Sequence, residues 1–410
     1  MSIHPVVLLG MLALLAACGS SEPSGPHVIV GAVTVSAGRT GSCALGGSGT
    51  LSCWGNVPPG TATDTTVAWY PVSLGARSVP AAIDFTSVAL ARTAFNSSGC
   101  AVGSDDQAYC WGTLEVGFDG TEPLGTMIQP LAGATSVSTV AMDRGHMCLT
   151  RTDRLVRCYG QFAGGGRGTD SVDIGNSGPA HNMVPNGLSP SLTAYGTAMG
   201  AMFGCALRTD SLVACWGTRH RGQLGGAAAD TVQDCDVWAP AWCQAGAALV
   251  AGGTKYRQLS AAFDHACAVR IGGEVDCWGR KPGTPPGAWM DTCATASDCV
   301  TVPTQVALPG TAVRVAVGAE HICALLATGA AYCWGDNARG QLGRPGANSL
   351  TPVPVGGGFQ FVTLATGADH TCGIEAGTGA VGCWGANDLG QLGDRTLIDR
   401  DSPVPVVAAE

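Results

Sequence analysis

Four histidines sit two residues ahead of a cysteine, His146, His265, His321 and His370, and three of them directly follow a carboxylate: Asp264, Glu320 and Asp369. Imidazole beside carboxylate could bind a metal or move protons. The recurrence argues for a structural part instead. Each histidine belongs to a separate unit of a repeating chain, so the four rings would not converge on one ion, and each is expected to hydrogen-bond within its own unit. Asp336, Asn337, Asn387 and Asp388 follow Trp-Gly pairs. Two such residues per loop supply too few oxygens for calcium, and turn formation is expected of them. The stretch Ala163 to Gly168, AGGGRG, lacks the Lys-Ser/Thr and the helix of a phosphate-binding loop. There is no nucleophile elbow and no His-Glu-x-x-His, so the expectation is no catalytic residue, no metal and no cofactor.

The cysteines carry a firmer chemistry. There are 19. Six pairs have nine residues between their members: Cys43 and Cys53, Cys100 and Cys110, Cys148 and Cys158, Cys205 and Cys215, Cys267 and Cys277, Cys323 and Cys333; the pair Cys372 and Cys383 has ten. Cys235 with Cys243 and Cys293 with Cys299 form two further local pairs, and Cys18 is left over. In CALGGSGTLSC, Cys43 to Cys53, a hairpin that sets Leu45 against Leu51 also sets Cys43 opposite Cys53, within disulfide reach. No Cys-x-x-Cys occurs, which disfavours zinc. Nine disulfides in an oxidising compartment are expected.

These hairpins need a scaffold that repeats them. The second cysteines fall at 53, 110, 158, 215, 277, 333 and 383; six are followed by Trp-Gly and the third by Tyr159-Gly160. The 61 glycines and only 12% charged residues suit short strands and tight turns rather than helices. A chain of 410 residues exceeds the roughly 250–300 that one core sustains. A period near fifty of strand-like, Gly-punctuated units points to a β-propeller, here of seven blades.

Three phrases sharpen this: CWGTRHRGQLG from Cys215, CWGDNARGQLG from Cys333 and CWGANDLGQLG from Cys383. The unit Val315 to Gly343 resembles the repeat of the regulator of chromosome condensation family, over about residues 28–408, with Gly-Gln-Leu-Gly missing from the second and third repeats. The resemblance implies an all-β, seven-bladed propeller of four-stranded antiparallel blades. Its N- and C-terminal strands would pair to close the ring, Ser402 to Val407 against Val28 to Val35. It also implies an interaction platform. The family namesake's activity, guanine-nucleotide exchange, is the less favoured expectation.

Val6 to Cys18, VVLLGMLALLAAC, is too short to span a membrane comfortably and reads as a signal-peptide core. Leu15-Ala16-Ala17-Cys18 resembles the bacterial lipobox. The expected organisation is therefore 1–17 signal peptide, 18–27 lipid-bearing Cys18 and flexible tether, and 28–410 one propeller. The protein would be anchored in a bacterial cell envelope, or secreted if Cys18 is not lipidated. Net charge is −9 with no basic face, which disfavours nucleic acid.

Insertions of variable length lie at 56–82, 226–256 and 280–304. They carry Trp69, Tyr70, Trp238, Trp242, Trp289 and Tyr256. Aromatic side chains on disulfide-stiffened loops suit a protein-binding surface. The expected partner is a protein of the envelope or exterior, bound by a monomer and touching membrane only through its lipid. A glycan-binding protein or a hydrolase using the same loops is the alternative.

Overall fold

The computed structural model describes residues 28–56, 73–78, 83–92, 98–111, 129–131, 134–143, 146–160, 192–226, 243–283 and 298–408. The sixth blade sets the pattern, with strands Ala312–Val317, His321–Leu326, Ala331–Gly335 and Ser349–Pro354 hydrogen-bonded in that order, each antiparallel to the next. Six blades have four strands; the third, spanning 137–160, has three among the described residues. The other blades span 32–78, 85–130, 194–249, 256–306 and 361–405. The first strands touch one another in cyclic order, Ala32–Ala37 against Phe85–Leu90 and so on to Phe361–Thr366 against Ala32–Ala37. The ring is closed, and the first strands line its axis.

Alternation along the third strand explains the Cys-Trp pair. Successive strand residues face opposite sides of a sheet, and in a propeller each side faces a different neighbour. Cys53 of the first blade packs against Phe85, Leu90 and Trp111 of the second. Trp54, one residue on, packs against Cys372, Ile374, Cys383 and Leu392 of the seventh. The same arrangement recurs around the ring, so the disulfide of one blade lies beneath the tryptophan of the next. At the second-to-third join, where the third repeat has Tyr159 in place of tryptophan, Met142, Met147 and Leu149 fill the core. The core is thus seven inter-blade seams rather than one centre.

Seven disulfides pin the hairpins between second and third strands, with Cα atoms 4.0–4.1 Å apart. Cys43 is bonded to Cys53, Cys100 to Cys110, Cys148 to Cys158 and Cys205 to Cys215. Cys267 is bonded to Cys277, Cys323 to Cys333 and Cys372 to Cys383. Cys110 and Cys158 are wholly buried in their seams, whereas Cys277 is only partly covered against the sixth blade. The extra residue of the seventh hairpin stays in its turn, and Cys372 still opposes Cys383. Cys299 is disulfide-bonded too, whereas Cys293, Cys235 and the side chain of Cys243 lie outside the described residues. The glycine after tryptophan is sterically required. At Gly335 φ is 112° and an added Cβ would stand 2.3 Å from the Glu320 carbonyl oxygen.

Two backbone devices repeat in every blade. The first residue of each first strand donates its N–H to the turn of the preceding blade: Phe85 to Gly49, Val137 to Asp106, Ala194 to Arg154, Tyr256 to Ser211, Ala312 to Gly273, Phe361 to Gly329 and Ala32 to Gly379, at 2.8–3.1 Å. All seven accepting residues have positive φ, which turns their carbonyls toward the next blade. The first strand then bulges one residue later, at Val33, Thr86, Ser138, Tyr195, Arg257, Val313 and Val362. Such bulges raise local twist and re-aim side chains.

The chain ends meet, but sparingly. Val28 bridges Val407, and Ile29 donates to the Val406 carbonyl at 3.0 Å. Ser402 to Pro405 pair instead with their own blade's third strand, Val381–Gly385. The closing contact is therefore a clasp of two residues from each end, added to a seventh blade already complete.

Candidate binding face

The chain leaves each third strand at the end of the ring where the first strand turns into the second. The Gly-Gln-Leu-Gly phrases lie at this end and act as inter-blade locks. The indole nitrogens of Trp54, Trp278 and Trp384 donate to the main-chain carbonyls of Gln391, Gln223 and Gln341, each in the preceding blade, at 2.7, 3.0 and 3.0 Å. Trp216 follows a blade whose sequence lacks the phrase, and its indole nitrogen has no partner among the described residues. Asn337 and Asn387 shape the last two of these loops. Asn387 Nδ2 donates to the Thr396 and Ile398 carbonyls and to Asp394, while its Oδ1 accepts from the Leu392 N–H. The turn-former reading of these residues thus acquires definite partners.

The histidines correct an expectation. His321 and His370 bond to the next blade rather than to their own. His321 Nε2 lies 2.8 Å from Thr371 Oγ1, and His370 Nε2 lies 2.7 Å from Ser42 Oγ. The residue before each first cysteine faces back toward the preceding blade, which is why a hydroxyl waits there. In the sixth blade that position is Ile322, and both ring nitrogens of His265 are buried without a hydrogen bond. Burial lowers the pKa of His265 and His321 from 6.5 to about 3 and that of His370 to about 4. The side chain of His146 is outside those described. No group of three or more His, Cys, Asp or Glu among the described residues could hold a metal ion.

Above the histidines runs a lattice of charge. Arg221 Nη1 meets Asp264 Oδ2 at 2.5 Å, Arg280 Nε stands 4.0 Å from the same oxygen, and Arg280 reaches across to Glu320 of the sixth blade. Burial raises the Glu320 carboxyl above its ordinary value, with the Arg280 charge opposing. In the last two blades Arg339 grips Asp399 and stands 3.4 Å from Asp388, which pushes its own pKa up. Across the ring's axis, Arg92 of the second blade donates to the Val317 carbonyl of the sixth at 2.8 Å. These two blades are not neighbours, so this side chain bridges the centre. Sequence reading missed the lattice, because Arg221, Asp264, Arg280 and Glu320 come from three different blades.

Of the aromatic residues expected on the insertions, Trp69, Tyr70, Trp238, Trp242 and Trp289 lie outside the described residues. Tyr256 is a core residue. It opens the fifth blade's first strand, is 2% exposed, and donates its hydroxyl to Asp276 at 2.8 Å. Cys18, the expected site of the lipid, also lies outside the described residues. No described helix is long and apolar enough to cross a membrane.

The fold and its seams define a seven-bladed β-propeller with a disulfide in every blade. Residues 312–341 and 328–374, in its sixth and seventh blades, match two models of the regulator of chromosome condensation (RCC1) repeat. Among solved structures it is similar to human WBSCR16, at 19% identity over 90% of this chain and 94% of that one, with a TM-score of 0.66. It is also similar to Prp20p from Saccharomyces cerevisiae, at 16% identity over 93% and 87%, TM-score 0.67. The ectodomain of the Physcomitrella patens receptor kinase CR4 gives 16% identity over 87% and 74%, TM-score 0.51. At such identities the likeness is one of fold.

Proposed function

We propose that this protein is an extracytoplasmic binding scaffold, held to a bacterial envelope by a lipid on Cys18, that engages a protein partner through the insertion-bearing end of the ring. The observation that carries the reading is the common exit point. In the 56–82, 226–256 and 280–304 insertions the chain passes from a third strand to the outer strand that follows, Ser73–Ser78, Cys243–Leu249 and Cys299–Val306, so each leaves its blade at the same end. There the Arg221–Asp264–Arg280–Glu320 lattice and the Asn-built loops make a rigid floor. A rigid platform lowers the ordering cost of binding, and aromatic loops supply anchors. The disulfides fit an oxidising compartment. Similar propellers support the mode: Prp20p has binding properties toward Gsp1p and histones, and yeast RCC1 (Prp20) has been crystallised with Kap60. The CR4 structure places a fold of this kind in an ectodomain.

The test is crosslinking capture from the envelope with the chain from Cys18 onward, against a variant with Trp69, Trp238, Trp242 and Trp289 changed to Ala and the same seven blade disulfides intact. A protein captured by the first and lost by the second supports the reading. Equal capture by both overturns the assignment of this face.

A further inference from the structure

The opposite end of the ring, which carries the turns between second and third strands, has a different character. The chain also enters the domain there. Gly31 accepts from the Gly47 N–H in the first blade's turn at 3.2 Å, and Ala32 donates to the Gly379 carbonyl in the seventh's at 3.1 Å. Nine residues, 19–27, lie between Cys18 and Val28, so ten chain steps separate the two. However it is arranged, a chain of that length reaches no farther than about 35 Å. A lipid on Cys18 therefore holds this end, not the insertion end, close to the bilayer.

The surface so held is apolar over one arc. The bulged residues Val362, Val33 and Val313, from the consecutive blades seven, one and six, are 59%, 59% and 38% exposed. Val30 beside the entering chain is 64% exposed, and Ile271 in the fifth blade's turn 57%. The turns of blades six and one, ATGA from Ala327 and GGSGT from Gly46, carry no charge, and that of blade seven, AGTGA from Ala376, meets one only at its edge, where Glu375 accepts from the Thr378 hydroxyl at 3.0 Å. Those of blades two to five are charged, with Asp105 and Asp106, Arg151, Asp153 and Arg154, Arg208 and Asp210, then Arg270 and Glu274 on either side of Ile271. The uncharged arc is centred where the tether joins. The bulge accounts for the exposure, since it turns out of the sheet a residue that regular pairing would leave facing a neighbouring blade.

We infer that this arc, Val30, Val33, Val313 and Val362 with Ile271, rests on the interfacial region of the phospholipid bilayer that holds the anchor, so that the insertion end points away from the membrane. The inference rests on the reading that Cys18 carries a lipid. A few valines bind a bilayer weakly, and the tether makes the contact intramolecular and so sufficient. The overall charge of −9 argues that the contact is apolar and insensitive to salt. Leu350 and Ile398 are also exposed, at 68% and 61%, but they lie toward the other end of blades six and seven, away from the entering chain.

Hydrogen exchange tests this on the chain from residue 18, folded oxidatively and coupled through Cys18 to a maleimide phospholipid in phosphatidylcholine vesicles. Relative to the uncoupled chain, residues 30–34, 312–314, 328–330, 361–363 and 376–380 are expected to exchange about threefold or more slowly, at low and high salt alike. Segments 336–348 and 386–399 at the insertion end should not change. Changing Val33, Val313 and Val362 together to Ser should remove the protection while the protein stays coupled and keeps its melting temperature; Leu350→Ser with Ile398→Ser should leave it intact. Protection at the insertion end, or none at either, overturns the proposal. Because the lipid is supplied chemically, this result is independent of native acylation. The mass of the Cys18 peptide from envelope-derived protein tests that separately.

Discussion

The indole nitrogen of Trp54 donates to the main-chain carbonyl of Gln391 at 2.7 Å, across the join between the first and last blades. With the Val28–Val407 bridge so short, this bond and the seam around it hold much of the ring's closure. Trp54→Phe keeps most of the apolar packing but leaves the Gln391 carbonyl only its 3.3 Å bond from Ser42 Oγ, and should cost about 0.5–1.5 kcal/mol in denaturant unfolding. Trp216→Phe, where the nitrogen has no partner among the described residues, should cost less than half as much. Equal losses would show that the bond contributes nothing.

Acid should weaken the fold through its histidines. His265, His321 and His370 are held neutral with pKa values of about 3, 3 and 4, against 6.5 when exposed. Between those limits the unfolded chain binds more protons than the folded one, so stability is complete above about pH 6.5 and falls as pH drops toward 4. Glu320 and Asp369, raised by burial, oppose this at the lower end. Melting temperature against pH should slope upward from 4 to 6.5, and less steeply in His370→Asn. A flat profile would contradict the burial of these rings.

Thr371→Val tests the bond between blades at nearly constant volume. It deprives His321 of its 2.8 Å partner, and a loss of about 1–3 kcal/mol is expected. The counterpart Ile322→Thr gives His265 the hydroxyl that it lacks. It should cost less than Thr371→Val, because the lost methyl packing is partly offset by the new bond.

Removing one blade disulfide, with Cys323 and Cys333 both changed to Ala, should lower stability by about 2–3 kcal/mol, the scale set by closing a loop of 10 residues. Chemical unfolding under non-reducing conditions measures it.

The charge lattice should respond to a single lost carboxylate. Asp264→Asn leaves Arg221 and Arg280 short of counter-charge in a mostly buried place, with an expected cost of about 2–4 kcal/mol. A change within about 0.5 kcal/mol would mean that solvent screens the site.

Much of this architecture is legible because a strand alternates its faces. Cysteine then tryptophan, and histidine two residues ahead of a cysteine, are one-dimensional records of which neighbouring blade each side chain meets. The direction is available too: a histidine shares a face with the cysteine two residues on, and so points to the next blade, not into its own. The expectation of a within-blade bond overlooks that step. Tyr256 reads as a loop aromatic in sequence because an insertion and the strand after it share no sharp boundary there.

The sequence alone determined the repeat, the cysteine pairing within the seven blade hairpins, the number of blades and the likeness to the RCC1 repeat, since all are local patterns of spacing and alternation. Only the tertiary structure decided what lies between blades. It joined Trp54 to Gln391, Arg92 to Val317 and Arg221 to Asp264, and it set the bulged Val33 and Val362 in adjacent blades at the end where the chain enters. Closing a ring brings together residues whose separation along the chain has no fixed relation to their separation in space, and no spacing rule records that.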